Sequence, residues 1–140
     1  MMAEKIGKAM ICGIGTDISE VKRFEKWVEN PGLYKRFFND AEIREFGAVG
    51  AACQHYAARF AAKEAFSKAL GTGIVFDLKE VFVTNDELGK PLLNVKGKAA
   101  DILKSKFGDC ILHISLSHEK DYAIAFVIIE RIVGGQNANS

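Results

Sequence analysis

A helix rich in alanine, Arg59 to Leu70 (RFAAKEAFSKAL), sets the tightest limit on how this chain can fold. Every residue in it forms or tolerates helix, and Gly71 follows, where a left-handed cap commonly ends one. At roughly 100° per residue, Ala58, Ala62, Ala65 and Ala69 gather on one side. Side chains that short let another backbone come close, so this side is expected to be buried. Arg59, Lys63, Glu64, Ser67 and Lys68 gather on the other, with Lys63, Glu64 and Lys68 within about one turn of each other. Glu64 and Lys68 are spaced i, i+4, the order that gives a surface ion pair worth roughly 0.2–0.5 kcal/mol. That is the plain reading of such a cluster, and the context on either side of the helix decides whether it is a working face instead.

The elements around this helix follow from periodicity and breakers. Met10 to Thr16 (MICGIGT) reads as a buried strand ending at Asp17. An acid there either points into a cleft or, like Ser19, caps the next helix. Ile18, Val21, Phe24 and Val28 predict a helix to Glu29, stopped by Asn30-Pro31-Gly32. Leu33 to Phe38 is a short aromatic-basic segment. Asn39 and Glu42 make a capping-box pattern for a short helix Asp40 to Phe46, and the long helix runs from about Ala51 to Leu70. Strands follow near Val81–Val83 and at Pro91–Val95, around the turn Asn85–Lys90. A helix Gly97–Phe107 and two strands, Cys110–Ser117 and Tyr122–Arg131, complete the pattern. The order β-α-α-α-β-β-α-β-β predicts an α+β fold, a mostly antiparallel sheet packed against a long helix. One domain over residues 1–133 is expected, with a disordered tail at 134–140.

Composition narrows the function. Nineteen Lys and Arg face 18 acids, so no global charge recruits nucleic acid and any anion site must be local. Cys12, Cys53 and Cys110 form no CxxC pair and read as reduced core thiols. No signal peptide is evident, and no apolar run approaches the roughly 20 residues of a membrane helix. A soluble, cytoplasmic protein without membrane contact is expected.

Asp17 and Glu64 are the acids best placed to converge. Two carboxylates from different elements, with coordination positions left for water and phosphate oxygens, suit Mg²⁺. Arg59, Lys63 and Lys68 nearby would neutralise phosphate, completing a generic kit for phosphoryl transfer. GIGTD lacks the third glycine of a dinucleotide fingerprint, and no spaced His/Cys set suits zinc. His118 ends the strand SLSH, where it is either solvated or an anion contact. Ser117 and His118 point to opposite faces and fail as a nucleophilic pair. His55 and His113 read as structural. A Mg²⁺-dependent nucleotide hydrolase and a non-enzymatic module binding nucleotide or partner helices remain open on these residues alone.

GIGTDI (Gly13–Ile18), FAAKEAFSKALGTGI (Phe60–Ile74), GKP (Gly89–Pro91) and SLSH (Ser115–His118) together resemble the holo-[acyl-carrier-protein] synthases, the short single-domain class of 4′-phosphopantetheinyl transferases. The resemblance runs in order from Met10 to Arg131. It implies transfer of the phosphopantetheine arm of coenzyme A to a serine of an acyl carrier protein, in support of fatty acid biosynthesis. It implies Mg²⁺ held by Asp17 and Glu64, with Glu64 helping to deprotonate the serine directly or through a metal-bound water. Lys68 would stabilise the diphosphate, and Arg59 and His118 the 3′-phosphate. Lys63 and Ser117 join the coenzyme-binding set, and Gly71, Gly73, Lys90 and Pro91 would line the adenosine. Lys22, Arg23 and Arg36 would dock an acidic helix of the carrier. A homotrimer with coenzyme sites between subunits is also implied. The two-domain transferases carry a further carboxylate two residues after the first; position 19 is Ser here, implying a two-carboxylate site.

Overall fold

Two glycines decide how the layers meet. A methyl group on Gly15 would lie 1.9 Å from the Ala65 carbonyl oxygen, and one on Gly13 would lie 2.1 Å from that of Ala69. Only glycine allows backbone to touch backbone at such a crossing. The computed structural model, which describes residues 7–134, lays strand β1 (Gly7–Glu20) across the long helix α3 (Val49–Leu70) at these positions. Strand β5 (Tyr122–Gly134) pairs antiparallel with β1 on one side and with β4 (Cys110–His118) on the other, giving the order β1-β5-β4. Strands β2 (Val81–Asn85) and β3 (Pro91–Val95) form a separate antiparallel hairpin, followed by helix α4 (Gly97–Phe107). The α+β expectation, an antiparallel sheet against a long helix, is met.

The inner sheet face presents Ala125, Val127 and Ile129, all wholly buried, to Ala61, Ala62, Ala65 and Phe66 of α3, and the equally buried Ala123 to Ala57 and Ala58. Small residues on both surfaces keep the layers close, so dispersion contacts are dense. A second cluster gathers Val21, Phe24, Phe38, Cys53 and Tyr56, with Trp27 packed against it.

Helix α3 departs from the two-sided reading. Arg59, Lys63 and Ser67 are buried along with the alanines. The sheet covers one side, and the β2–β3 hairpin and the turn before α3 cover much of the other. Glu64 is half-buried and Lys68 exposed.

The segment after β1 differs more. Ile18 to Glu20 stay in the strand, because Ser19 pairs with Ala123 and Glu20 with Tyr122. Asp17 is therefore a strand residue and not a cap. The expected helix to Glu29 is a 3₁₀ turn (Val21–Phe24) and the short α1 (Glu25–Val28). Pro31 opens α2 (Pro31–Phe37) instead of stopping a helix, since at the first helical position its missing N–H costs nothing. The capping box at Asn39 and Glu42 is present, but it starts only a 3₁₀ turn, Asp40–Glu42. Beyond Gly134, the expected tail lies outside the described residues.

The outer sheet face is apolar and bare. Ile14, Ile18, Ile111, Ile124, Phe126 and Ile132 are each 39–58% exposed there. Among the described residues, no helix is long and apolar enough to cross a membrane.

Candidate active site

The β1–α3 crossing that the glycines permit also brings charge together. Asp17 lies two residues beyond Gly15, on the side of the strand that faces the helix. Lys68 Nζ donates to Asp17 Oδ1 and to the Thr16 carbonyl, both at 3.0 Å. Lys68 thus pairs with Asp17, and the expected surface pair with Glu64 does not form. Glu64, one helical turn before Lys68, offers its half-buried carboxylate from the same helix. Thr16, Asp17, Ile18, Lys68 and Ile124 line a cavity of about 310 Å³. Among the described residues no group of three or more His, Cys, Asp or Glu could hold a metal. A cation at this corner would have two carboxylates at most and would take most of its oxygen ligands from water or substrate. That open donor set fits Mg²⁺, which keeps waters and phosphate oxygens, and does not fit zinc.

A second cleft opens elsewhere. Arg44, Gln54, His55, Arg59, Asn85, Gly89 and His118 line about 420 Å³, and an adjoining 280 Å³ adds Pro91 and Leu116. Arg59, His118 and the Gly89–Pro91 turn, distant in sequence, therefore converge. Arg59 Nη2 donates to Asn85 Oδ1 at 3.1 Å, while Arg59 Nε is buried without a partner. Burial, then the Arg44 charge, holds the Arg59 guanidinium below its ordinary proton affinity. His55 Nε2–H donates to the Glu42 carbonyl at 2.6 Å. Burial, followed by the charge of Arg59, pushes its imidazole down to about 4. It is neutral near pH 7 and structural, as expected.

The two clefts use different sides of α3. Residues 59 and 68 stand about 13 Å apart along the axis and half a turn round it, so the single polar side read from the sequence divides into two.

Other expected site residues scatter. Lys63 is a correction: it is wholly buried, with Nζ 2.6 Å from Glu42 Oε1 and 3.0 Å from the Leu78 carbonyl, and bonded also to the Val81 carbonyl. A cation so enclosed meets no phosphate. Burial lowers its proton affinity and the Glu42 carboxylate counters that. Ser117 is exposed on the sheet face opposite to Leu116, away from the Arg59 cleft. Gly71, at φ 85°, caps α3 at the Lys68 end, and Gly73, at φ 70°, follows in the turn. Lys90 is exposed in the hairpin turn, where its N–H donates to Asp86 Oδ1 at 2.9 Å. Lys22 and Arg23 are exposed just after β1, with the Arg23 guanidinium 5.3 Å from the Phe60 ring centroid. Arg36 is exposed on α2, 5.7 Å over Phe37. Sequence reasoning missed Asn85, read as a turn residue, and the burial of Glu42, recognised only as half of a capping box.

Known proteins match this chain in sequence and fold. The family model of the 4′-phosphopantetheinyl transferase superfamily matches residues 13–127. A holo-[acyl-carrier-protein] synthase of Treponema denticola is 49% identical over 123 residues, 86% of this chain and 99% of that protein. The crystal structure of the synthase from Neisseria meningitidis superposes with a TM-score of 0.74 at 35% identity, covering 87% of this chain and 100% of that one. The synthase from Bacillus anthracis, solved in complex with CoA (3′,5′-ADP), superposes at 0.68 with 35% identity, over 86% of this chain and 97% of that one. A match of this extent in both sequence and fold means that the chain belongs to the 4′-phosphopantetheinyl transferase superfamily, among its holo-[acyl-carrier-protein] synthases.

Proposed function

We propose that the chain transfers the 4′-phosphopantetheine arm of coenzyme A to a serine of an apo acyl carrier protein, releasing adenosine 3′,5′-bisphosphate and yielding the holo carrier protein used in fatty acid biosynthesis. One observation carries the reading: Lys68 and Asp17 meet at 3.0 Å where β1 crosses α3, with Glu64 a turn away, in a chain whose relatives are named for this reaction. Asp17 and Glu64 would hold Mg²⁺, which when bound supplies charge neutralisation and polarisation at the diphosphate.

The chain's own groups divide the remaining work. The carrier serine hydroxyl attacks the phosphorus that bears pantetheine, and the bond from that phosphorus to the bisphosphate breaks. Glu64 accepts the serine proton, directly or through a water. Lys68, half exposed and anchored by the Thr16 carbonyl, neutralises charge on the leaving phosphate. Arg59 and His118 take the 3′-phosphate, and Gly89, Lys90 and Pro91 border the adenosine beside them. Exposed Lys22, Arg23 and Arg36 present positive charge to an acidic carrier helix, which speeds encounter more than it deepens affinity.

A second copy completes the site in this reading. The diphosphate and 3′-phosphate of one coenzyme sit on a single ribose, too close together to reach opposite sides of a buried helix. One subunit gives Arg59 and His118, and its neighbour gives Asp17, Glu64, Lys68 and the Gly71–Gly73 turn. The bare apolar face of the β1-β5-β4 sheet, with Ile14, Ile124 and Phe126, supports a homotrimer closed through that surface. A cytoplasmic location follows from the partners.

The test is the intact mass of apo carrier protein after incubation with the enzyme, CoA and Mg²⁺. Transfer adds about 340 Da to the carrier, and bisphosphate appears only when the carrier is present. Bisphosphate released without any acceptor would make the protein a hydrolase instead.

A further inference from the structure

Arg44 has no part in the reaction as described, yet its backbone is firmly held. Its N–H donates to the Tyr56 hydroxyl at 3.3 Å, and that hydroxyl donates back to the Arg44 carbonyl at 3.5 Å. Two residues earlier, Glu42 is buried in its ion pair with Lys63. The side chain is by contrast exposed, on the rim of the cleft that Arg59 and His118 line.

Its guanidinium donates to Asn85 Oδ1 at 3.3 Å, the same oxygen that Arg59 uses at 3.1 Å. Asn85 is held in that orientation by its own Nδ2, which donates to the Gly89 carbonyl at 3.0 Å. Two guanidiniums are thus gathered on one neutral oxygen, and neither joins an ion pair among the described residues. Like charges so close repel each other, and Arg59 Nε is left buried without a partner. A dianion between them would relieve the repulsion and supply the missing acceptor, and paired arginines suit phosphate geometry.

We infer that Arg44 is a specificity-determining contact for the 3′-phosphate of coenzyme A, closing on it from the cleft rim while Arg59 holds it from within and Asn85 sets the spacing between them. The inference rests on the proposed transferase reading, with Arg59 and His118 at that phosphate. A donor with a bare 3′-hydroxyl leaves the two guanidiniums unneutralised, so the arginine pair selects coenzyme A over its 3′-dephospho form.

Steady-state transfer with CoA and with 3′-dephospho-CoA, for wild type and Arg44→Ala, tests this. The variant should raise KM for CoA about tenfold, the loss of one charge-assisted hydrogen bond. KM for the dephospho donor and kcat for both should stay within about twofold, and Arg44→Lys should recover part of the CoA preference. Equal loss with both donors would reduce Arg44 to a structural role, and no loss with CoA would remove it from the site. Calorimetric binding of adenosine 3′,5′-bisphosphate and of AMP separates this inference from the transferase reading. Arg44→Ala should weaken the bisphosphate alone, even if the wild type transfers nothing. Equal effects on the two nucleotides, or none, would overturn the assignment.

Discussion

Removing the Lys63 ammonium should cost far more stability than catalysis. Both partners of the Glu42–Lys63 pair have fully buried side chains. In Lys63→Met the carboxylate keeps the Val83 N–H at 3.0 Å and the Asn39 N–H at 3.1 Å, but no countercharge. The Leu78 and Val81 carbonyls lose a donor as well. Stranding one partner of a buried pair costs about 3–5 kcal/mol, a large part of the roughly 5–15 kcal/mol that holds a domain folded. Adding Glu42→Gln removes the stranded charge while its amide oxygen still accepts from Val83, so the double variant should regain at least about 1 kcal/mol. Urea unfolding of the wild type, both singles and the double gives the coupling directly. Among folded molecules of the double variant, KM for CoA should remain within about threefold of wild type, whereas losing a true phosphate ligand would cost tenfold or more. A Lys63→Met protein as stable as wild type would refute the burial argument. A stable double variant with a tenfold weaker coenzyme interaction would return Lys63 to the binding site.

Further outcomes follow from the same geometry. Glu64→Gln should abolish transfer with an unchanged thermal midpoint; retained activity would take Glu64 out of the chemistry. Arg23→Glu should raise KM for the carrier protein with little change in kcat, measured with CoA saturating, as expected for a rim charge. Gly15→Ala forces a methyl onto the Ala65 carbonyl and should lower stability by about 3 kcal/mol, read by denaturant titration. His55 titrates at about 4 in the folded chain, below the roughly 6.5 of an unfolded imidazole. The unfolded chain therefore binds more protons between those values, and stability falls as pH drops through the window, by about 3 kcal/mol when complete. His55→Gln should flatten that dependence in urea midpoints taken between pH 7 and pH 5.

Much of this was legible in the chain. Period and breakers located α3, α4 and the last four strands nearly to the residue, because each is a long or strongly patterned segment bounded by glycine or a polar turn. From Ile18 to Phe46 the local pattern and the structure part for a tertiary reason. The long partner β5 extends β1 through Glu20, and pairing of that length outweighs a local helical spacing of Ile18, Val21 and Phe24. Lys63 could not be separated from Glu64 and Lys68 by a helical wheel, since its burial depends on Glu42, 21 positions away. The residue types place Asp17 and Lys68 in one phosphate site, but their direct ion pair depends on the crossing at Gly13 and Gly15, which no local pattern carries. Arg59 and Asn85 meet because the hairpin folds back over α3, a relation that no local pattern carries.

In the proposed enzyme, two half-sites of one chain become one coenzyme site across subunits. Arg59→Gln damages one half and Lys68→Ala the other, and each homo-oligomer should be inactive. Co-expressing the two variants restores an intact pairing at about one interface in four when subunits assort randomly, so mixed enzyme should convert apo carrier protein at roughly a quarter of the wild-type rate. A mixture as inactive as its parents, from subunits shown to have exchanged, would contradict the shared site.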